Sequence, residues 1–211
     1  MKDKSVPTWW RVCVGGMWEE IGTHQFEIMK EIGLKPHHLF MDVGCGAFRG
    51  GIHYMTYLNP GNYLGLDADE EVIQAGFDHE LKEEHFLREP RVCVDPHFTF
   101  SKMLKEGELL DYAIAQSVFT HLPKKMLEMC LENIYPWMRE GAHFVITIFE
   151  SKNDVAWPTA EPFYHSVNMI RSVTKDKWSV IPSRWRHERR QTWLVLTKKG
   201  LCHTQEGDKH G

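Results

Sequence analysis

The segment Asp42–Gly51, DVGCGAFRGG, places four glycines within eight positions, directly behind the apolar run Leu39-Phe40-Met41. Glycines at such a place permit positive φ, and they let a ligand lie against main chain without interference from Cβ. A second apolar run, NYLGL, leads into Asp67, 23 positions after Gly44. An acid at that distance can accept both hydroxyls of a ribose. The pattern G-C-G-A-F-R-G delivers its third glycine one position late for G-x-G-x-x-G, and Arg49 stands where a dinucleotide site needs a small residue. The chemistry implied is recognition of a nucleoside with a ribose, without a required pyrophosphate.

The elements around these residues must hold them at one end of a sheet. Apolar positions Trp18, Ile21, Met29 and Ile32 recur at helical spacing between Met17 and Leu34, with Gln25 in the middle of that face. Gln25 is either a satisfied core amide or a binding group on a helix that folds over the ligand as a lid. Strands are expected at Leu39–Val43, Asn62–Asp69, Arg91–Val94, Leu110–Ala115 and His143–Phe149. Helices are expected at Gly50–Leu58, from Glu70 to about Lys82, and at Pro123–Met138 with Gly141 as stop signal. A further helix near Pro162–Val173 precedes strands Trp178–Ile181 and Thr192–Thr197, joined by the turn-rich PSRWRHERR. Strands alternating with helices and closed by a hairpin predict a doubly wound α/β fold with a mostly parallel seven-stranded sheet. One domain over residues 1–200 is expected, with 17–34 as the lid-type helix and 201–211 as a polar tail.

Composition narrows the classes. The 211 residues are 42% apolar and 26% charged, ordinary for a globular protein able to bury a full core. A formal net charge of -4 argues against a general nucleic-acid binder. Five scattered cysteines with no C-x-x-C pair suit reduced thiols in a cytoplasmic setting and offer no zinc site. No signal peptide is readable, and no stretch approaches the roughly 20 apolar residues of a membrane span.

The stretches FMDVGCGAFRGG, YLGLDAD and DYAIAQSVFTHLP, in that order on successive strands, resemble motifs I, II and IV of class I S-adenosylmethionine-dependent methyltransferases. The variant with R-G-G after the glycine loop and AQSVFTHL after the fourth strand is similar to the small-molecule and sugar O-methyltransferases. The resemblance implies that Gly44, Cys45 and Gly46 line the methionine and ribose portion of the cofactor. Asp42 would reach its amino group, Asp67 its ribose hydroxyls, and Ala68 would lie beside the adenine. Asp95, His97 and Phe98 end the third strand, where the family supplies an adenine contact, and Gln116 and Ser117 would lie under the sulfonium. Arg49 reads as a fork for the cofactor carboxylate or as a solvated arginine at a helix start. Trp18 reads as core or as an aromatic face over the sulfonium.

A hydroxyl acceptor requires removal of its proton, which is worth ~10²–10⁴-fold in rate. His121 in SVFTHLP is the first candidate, and packing or capping of the next helix is its other role. His165 in FYHS and His187 in RWRHERR could reach the same pocket from the carboxyl side. Glu150 and Tyr164 lie near the expected mouth. The absence of a D-P-P-Y-like tetrapeptide disfavours methylation of exocyclic base amines, and no carboxylate cluster after strand four demands a metal. Trp185 among Arg184, Arg186, Arg189 and Arg190 forms either a solvated hairpin or a surface for a glycan or anionic acceptor, with Trp157 nearby. The reading that follows is O-methylation of a carbohydrate or other small molecule. A protein or RNA methyltransferase, or a cofactor-binding partner subunit without catalysis, is the alternative.

Overall fold

The computed structural model describes residues 8–151 and 161–200. A central sheet has the order β3-β2-β1-β4-β5-β8-β7. Its strands are β1 (Phe40–Val43), β2 (Tyr63–Asp67), β3 (Arg91–Val94), β4 (Leu110–Ala115), β5 (Met138–Glu150), β7 (Trp178–Pro182) and β8 (Thr192–Lys198). A two-residue strand, β6 (Tyr164–His165), adds to the end of β5. The first five strands run parallel, while β8 is antiparallel to both β5 and β7. The expected architecture is observed, with β6 as an eighth, short strand.

Strand interiors are apolar on both faces because helices cover both. Met41, Leu64, Phe144 and Ile146 pack on one side, and Phe40, Tyr63, Ile114, Val145 and Trp193 on the other. The helices are α1 (Trp9–Cys13), α2 (Trp18–Glu31), α3 (Gly51–Tyr57), α4 (Glu70–His79), α5 (Glu83–Phe86), α6 (Lys124–Ile134) and α7 (Val167–Thr174). Asp69 caps α4 by accepting from the Val72 N–H at 3.2 Å, and Ser166 caps α7 by accepting from the Met169 N–H at 2.9 Å.

Three expectations shift. The helix drawn to Met138 ends at Ile134, since Pro136 in the following turn cannot continue it. β5 then starts at Met138, and Gly141, at φ +78°, sits inside the strand where the pairing with β4 slips, so it is not a helix stop. The last helix begins at Val167 because Tyr164 and His165 pair with Phe149 and Glu150 first. Among the described residues no helix is long and apolar enough to cross a membrane. The polar tail 201–211 and Trp157 lie outside the described residues.

Candidate active site

A cleft of about 570 Å³ opens outside the carboxyl ends of β1 to β5, a volume in the range of small-molecule sites. Its floor is the glycine turn. Gly44 and Gly46 adopt φ of +74° and +52°. A Cβ at Gly44 would lie 2.3 Å from Val118 Cγ2, and one at Gly46 would lie 2.6 Å from Val14 Cγ1. The glycines thus serve a tight turn and a close approach of the cleft's own walls at once. The carboxylate of Asp67 fastens this turn to the next: Oδ2 accepts from the Gly46 N–H at 2.8 Å and Oδ1 from the Asp69 N–H at 2.9 Å. Burial raises its pKa, and those backbone donors oppose the rise.

Asp42 lies beneath the turn with 4% of its surface exposed and accepts from the Tyr63 hydroxyl at 3.0 Å. Burial pushes its carboxyl up to about 7, the Tyr63 hydrogen bond resists, and the charge of Asp67 adds to the rise. Gln25, also 4% exposed, reaches the cleft wall from α2. A Cβ on Gly50 would lie 2.6 Å from its Cδ, so that glycine is what admits the amide. Ala68 is exposed on the wall beside Asp67.

Gln116 and Ser117 close β4 in the middle of the cleft. Ser117 holds a φ of +62°, a left-handed conformation costing a non-glycine residue roughly 1–2 kcal/mol. Its N–H donates to Thr147 Oγ1 at 2.7 Å, and its hydroxyl lies 2.8 Å from Gln191 Nε2. At the end of β3, Asp95 and Phe98 line the wall, but the Asp95 carboxylate is engaged by the Thr99 N–H and by Lys102 Nζ at 3.0 Å. His97 points to solvent and is not on the wall, which corrects its expected role.

No family model matches the chain. Solved structures do. Magnesium protoporphyrin IX methyltransferase from Synechocystis, crystallised with bound S-adenosylhomocysteine, superimposes with a TM-score of 0.64 at 13% identity, covering 87% of this chain and 86% of that one. An O-methyltransferase family protein from Burkholderia thailandensis gives 0.63 at 12% identity, with 93% and 61% covered. A putative rRNA-methylase from Clostridium thermocellum gives 0.62 at 10% identity, with 84% and 95% covered. The fold is that of the class I methyltransferases.

On this methyltransferase fold the N-terminal segment contributes a wall that the sequence reading lacked. Helix α1 and the turn after it supply Val12, Cys13, Val14 and Gly15 to the cleft. The Trp10 indole N–H and the Arg11 guanidinium donate to the Glu80 carboxylate at 2.6–2.7 Å, and Trp10 stacks on His79 at 4.2 Å. Trp18 is not on the wall: it packs with Ala47 and Val72 under the Arg11 guanidinium, 4.6 Å from its ring. Arg49 is not a solvated arginine. With 6% of its surface exposed, it donates to the carbonyls of Val14 (2.6 Å) and Gly16 (2.9 Å) and to Gln116 Oε1 (2.6 Å).

The three candidate histidines separate. His121 lies on the cleft wall, exposed, with Nδ1 2.9 Å from Glu161 Oε2. His165 is buried off the wall, with Nε2 2.9 and 3.1 Å from the carbonyls of Phe119 and Leu122. It shapes the loop that presents His121, so as a base it is withdrawn. His187 is buried behind Gln116, 2.9 Å from the amide nitrogen, and its Nδ1 accepts from the Arg189 N–H. Burial pushes its pKa down to about 4, which keeps it neutral and off the wall; it too is withdrawn as a base.

The remaining mouth residues are redistributed. Glu150 accepts from the Thr192 hydroxyl at 2.9 Å, and Tyr164 is exposed away from the wall. Trp185 directs its indole N–H to Glu31 at the end of α2, 3.1 Å away, so it offers no platform in the cleft. Of the hairpin arginines only Arg189 lines the cleft. Val118, Leu122, Met126, Phe149, Thr147 and Gln191 were not foreseen. Val118 and Leu122 lie within the quoted SVFTHLP stretch, while Met126 on α6, Thr147 and Phe149 on β5, and Gln191 before β8 carry no motif and are brought together only by the packed fold.

Proposed function

We propose that this chain is an S-adenosylmethionine-dependent methyltransferase that methylates a hydroxyl group of a small molecule, with His121 as general base. Support for the cofactor comes from the fit of the wall. Asp67 offers carboxylate lone pairs beyond its two backbone bonds to ribose hydroxyls, and Asp42 offers a carboxylate for an ammonium group. Gln25 supplies an amide, held 4% exposed on the wall, that can both donate to and accept from a ligand. The turn Gly44-Cys45-Gly46 would hold the methionine and ribose portion. When bound, S-adenosylmethionine supplies an electrophilic methyl carbon on a sulfonium.

The observation that carries the acceptor chemistry is the His121–Glu161 pair. A carboxylate 2.9 Å from Nδ1 favours the tautomer with the proton on that nitrogen, in which the Nε2 lone pair would accept a proton from a hydroxyl. Beside it Val118, Leu122, Met126 and Phe149 form an apolar shelf on which the body of an acceptor could rest. Because Trp185 is directed elsewhere, the reading narrows from a sugar towards an acceptor with an apolar body.

Calorimetry with S-adenosylmethionine, S-adenosylhomocysteine and NAD tests the cofactor. Methyl-labelled cofactor offered to phenols, hydroxy acids and sugars tests the acceptor. Failure of both adenosyl compounds to bind sinks the proposal. Binding without turnover on any acceptor supports a cofactor-binding partner subunit instead, and turnover confined to sugars restores the carbohydrate reading.

A further inference from the structure

We infer that residues 9–17 form a strap that opens to admit the cofactor and closes over it, with Glu80 as its latch. The inference rests on the methyltransferase reading and assigns a gate to that same site.

The strap is built apart from the body of the protein. Helix α1 contributes no residue to either apolar layer of the sheet and contains none that is fully buried. Trp9, Trp10 and Val14 pack instead on a small cluster of their own with Trp18, Ala47 and Val72. A unit with so few buried apolar contacts opens at lower cost than the core it lies on. Its two ends are turns of uncommon backbone. Thr8 holds a φ of +77°, and Gly15, Gly16 and Met17 follow one another at +91°, +62° and +46°. Consecutive residues in the left-handed region make a sharp joint. A Cβ on Gly16 would meet nothing within 4 Å, so glycine serves the backbone conformation there and not a lack of space.

The strap is fastened at two points. At the first, Glu80 accepts from the Trp10 indole N–H and from Arg11 Nε and Nη2 at 2.6–2.7 Å. The Arg11 side chain is 38% exposed, so water competes for this latch. At the second, the carbonyls of Val14 and Gly16 accept from Arg49, and that of Gly15 accepts from Arg189. Val12, Cys13, Val14 and Gly15 line the cleft, and Val14 lies 2.6 Å from where a Cβ on Gly46 would stand. The strap therefore stands against the glycine turn that would hold the methionine and ribose portion of the cofactor. Trp10, Arg11 and Glu80 are not on the cleft wall. A change at Glu80 reaches a bound cofactor only by moving the strap.

The test follows S-adenosylhomocysteine binding by stopped-flow tryptophan fluorescence in wild type, Glu80→Gln and Gly16→Ala, with folding checked by circular dichroism. A gate acts on passage in both directions, so a weaker latch raises the open population and speeds entry and exit alike. Glu80→Gln should raise the association and dissociation rates together by about 10-fold or more, the size of one charged hydrogen bond, with Kd held within about threefold. Gly16→Ala, strained only while the strap is closed, should raise both rates by about 5–30-fold. Trypsin can cut after Arg11 only when that side chain leaves Glu80, and saturation with S-adenosylhomocysteine should slow this cut by about 10-fold or more. Dissociation that speeds alone, with Kd weakening in step, makes the strap a fixed wall and overturns the inference. Unchanged rates in both variants, or a cut that the ligand does not slow, also overturn it. Where one variant fails to fold, the other decides by the same rates. If S-adenosylhomocysteine does not bind to wild type, the methyltransferase reading fails separately. The cut after Arg11 in unliganded protein then decides the strap: faster in Gly16→Ala than in wild type upholds it, and equal rates overturn it.

Discussion

Replacing Asp42 with asparagine should stabilise the unliganded protein, and by an amount that depends on pH. The carboxyl is 4% exposed, and burial moves it from 3.8 to about 7 in the folded chain. Below the unfolded value both states carry the proton and the group contributes nothing. Between the two values the unfolded chain has lost the proton and the folded chain keeps it, so stability falls as pH rises, by about 1.4 kcal/mol per pH unit. Above about 7 the penalty is complete, on the order of 4 kcal/mol. An amide at this position cannot ionise, and its oxygen can still accept from Tyr63, so the Asp42→Asn variant escapes the penalty. For a chain of this length about 2–4 °C accompanies each kcal/mol, and the variant should melt roughly 10 °C above wild type at pH 8. The two should converge near pH 4. Thermal unfolding followed by circular dichroism across pH 4–8.5 is the assay. Parallel melting profiles, or an advantage for the variant that is largest at low pH, would refute the reasoning.

If Asp42 must ionise to hold an ammonium group, S-adenosylhomocysteine should bind more tightly as pH rises through about 7, with a calorimetric heat that varies with buffer because a proton is released. Gly44→Ala should lose at least the roughly 1–2 kcal/mol of left-handed strain, with more from a Cβ placed 2.3 Å from Val118, as read by urea unfolding. Asp67→Ala should weaken S-adenosylhomocysteine by roughly 1.5–3 kcal/mol per lost charged hydrogen bond; unchanged affinity in a folded variant removes Asp67 from the site. His121→Ala should keep cofactor affinity while turnover falls by ~10²-fold or more, and Glu161→Gln should lower turnover by less; unaffected turnover per folded molecule in both leaves His121 a packing residue.

The sheet was legible because its strands are buried on both faces and announce themselves as unbroken apolar runs, LFMDV, YLGLD, LDYAIA and HFVITIF. The glycine turn and Asp67 were legible for a related reason. Their chemistry needs particular residue types at the ends of adjacent strands, and parallel pairing of β1 with β2 fixes the distance between them. Helix α1 escaped notice because five residues carry no helical period and no independent stability; it exists by docking Trp10 and Arg11 on Glu80, some 70 positions away.

What the sequence alone determined is the glycine turn and the strand ends that floor the cleft, where local turns and strand order do the positioning. What only the tertiary structure decided is the rest of the wall. The leading histidine of the sequence, His121, became a wall residue, while the alternatives His165 and His187 became a loop brace and a neutral residue buried behind Gln116, because burial and hydrogen-bond partners are properties of the packed chain. Arg49, open between solvent and ligand, was drawn inside by carbonyls of a turn 33–35 positions earlier. Trp185 and Arg189, four positions apart on one loop, were sent to opposite destinations, since the path of that loop is set by Glu31 on one side and by the Gly15 carbonyl on the other. Contacts of such separation leave no local pattern in the chain, and they settle which side chains line the cleft.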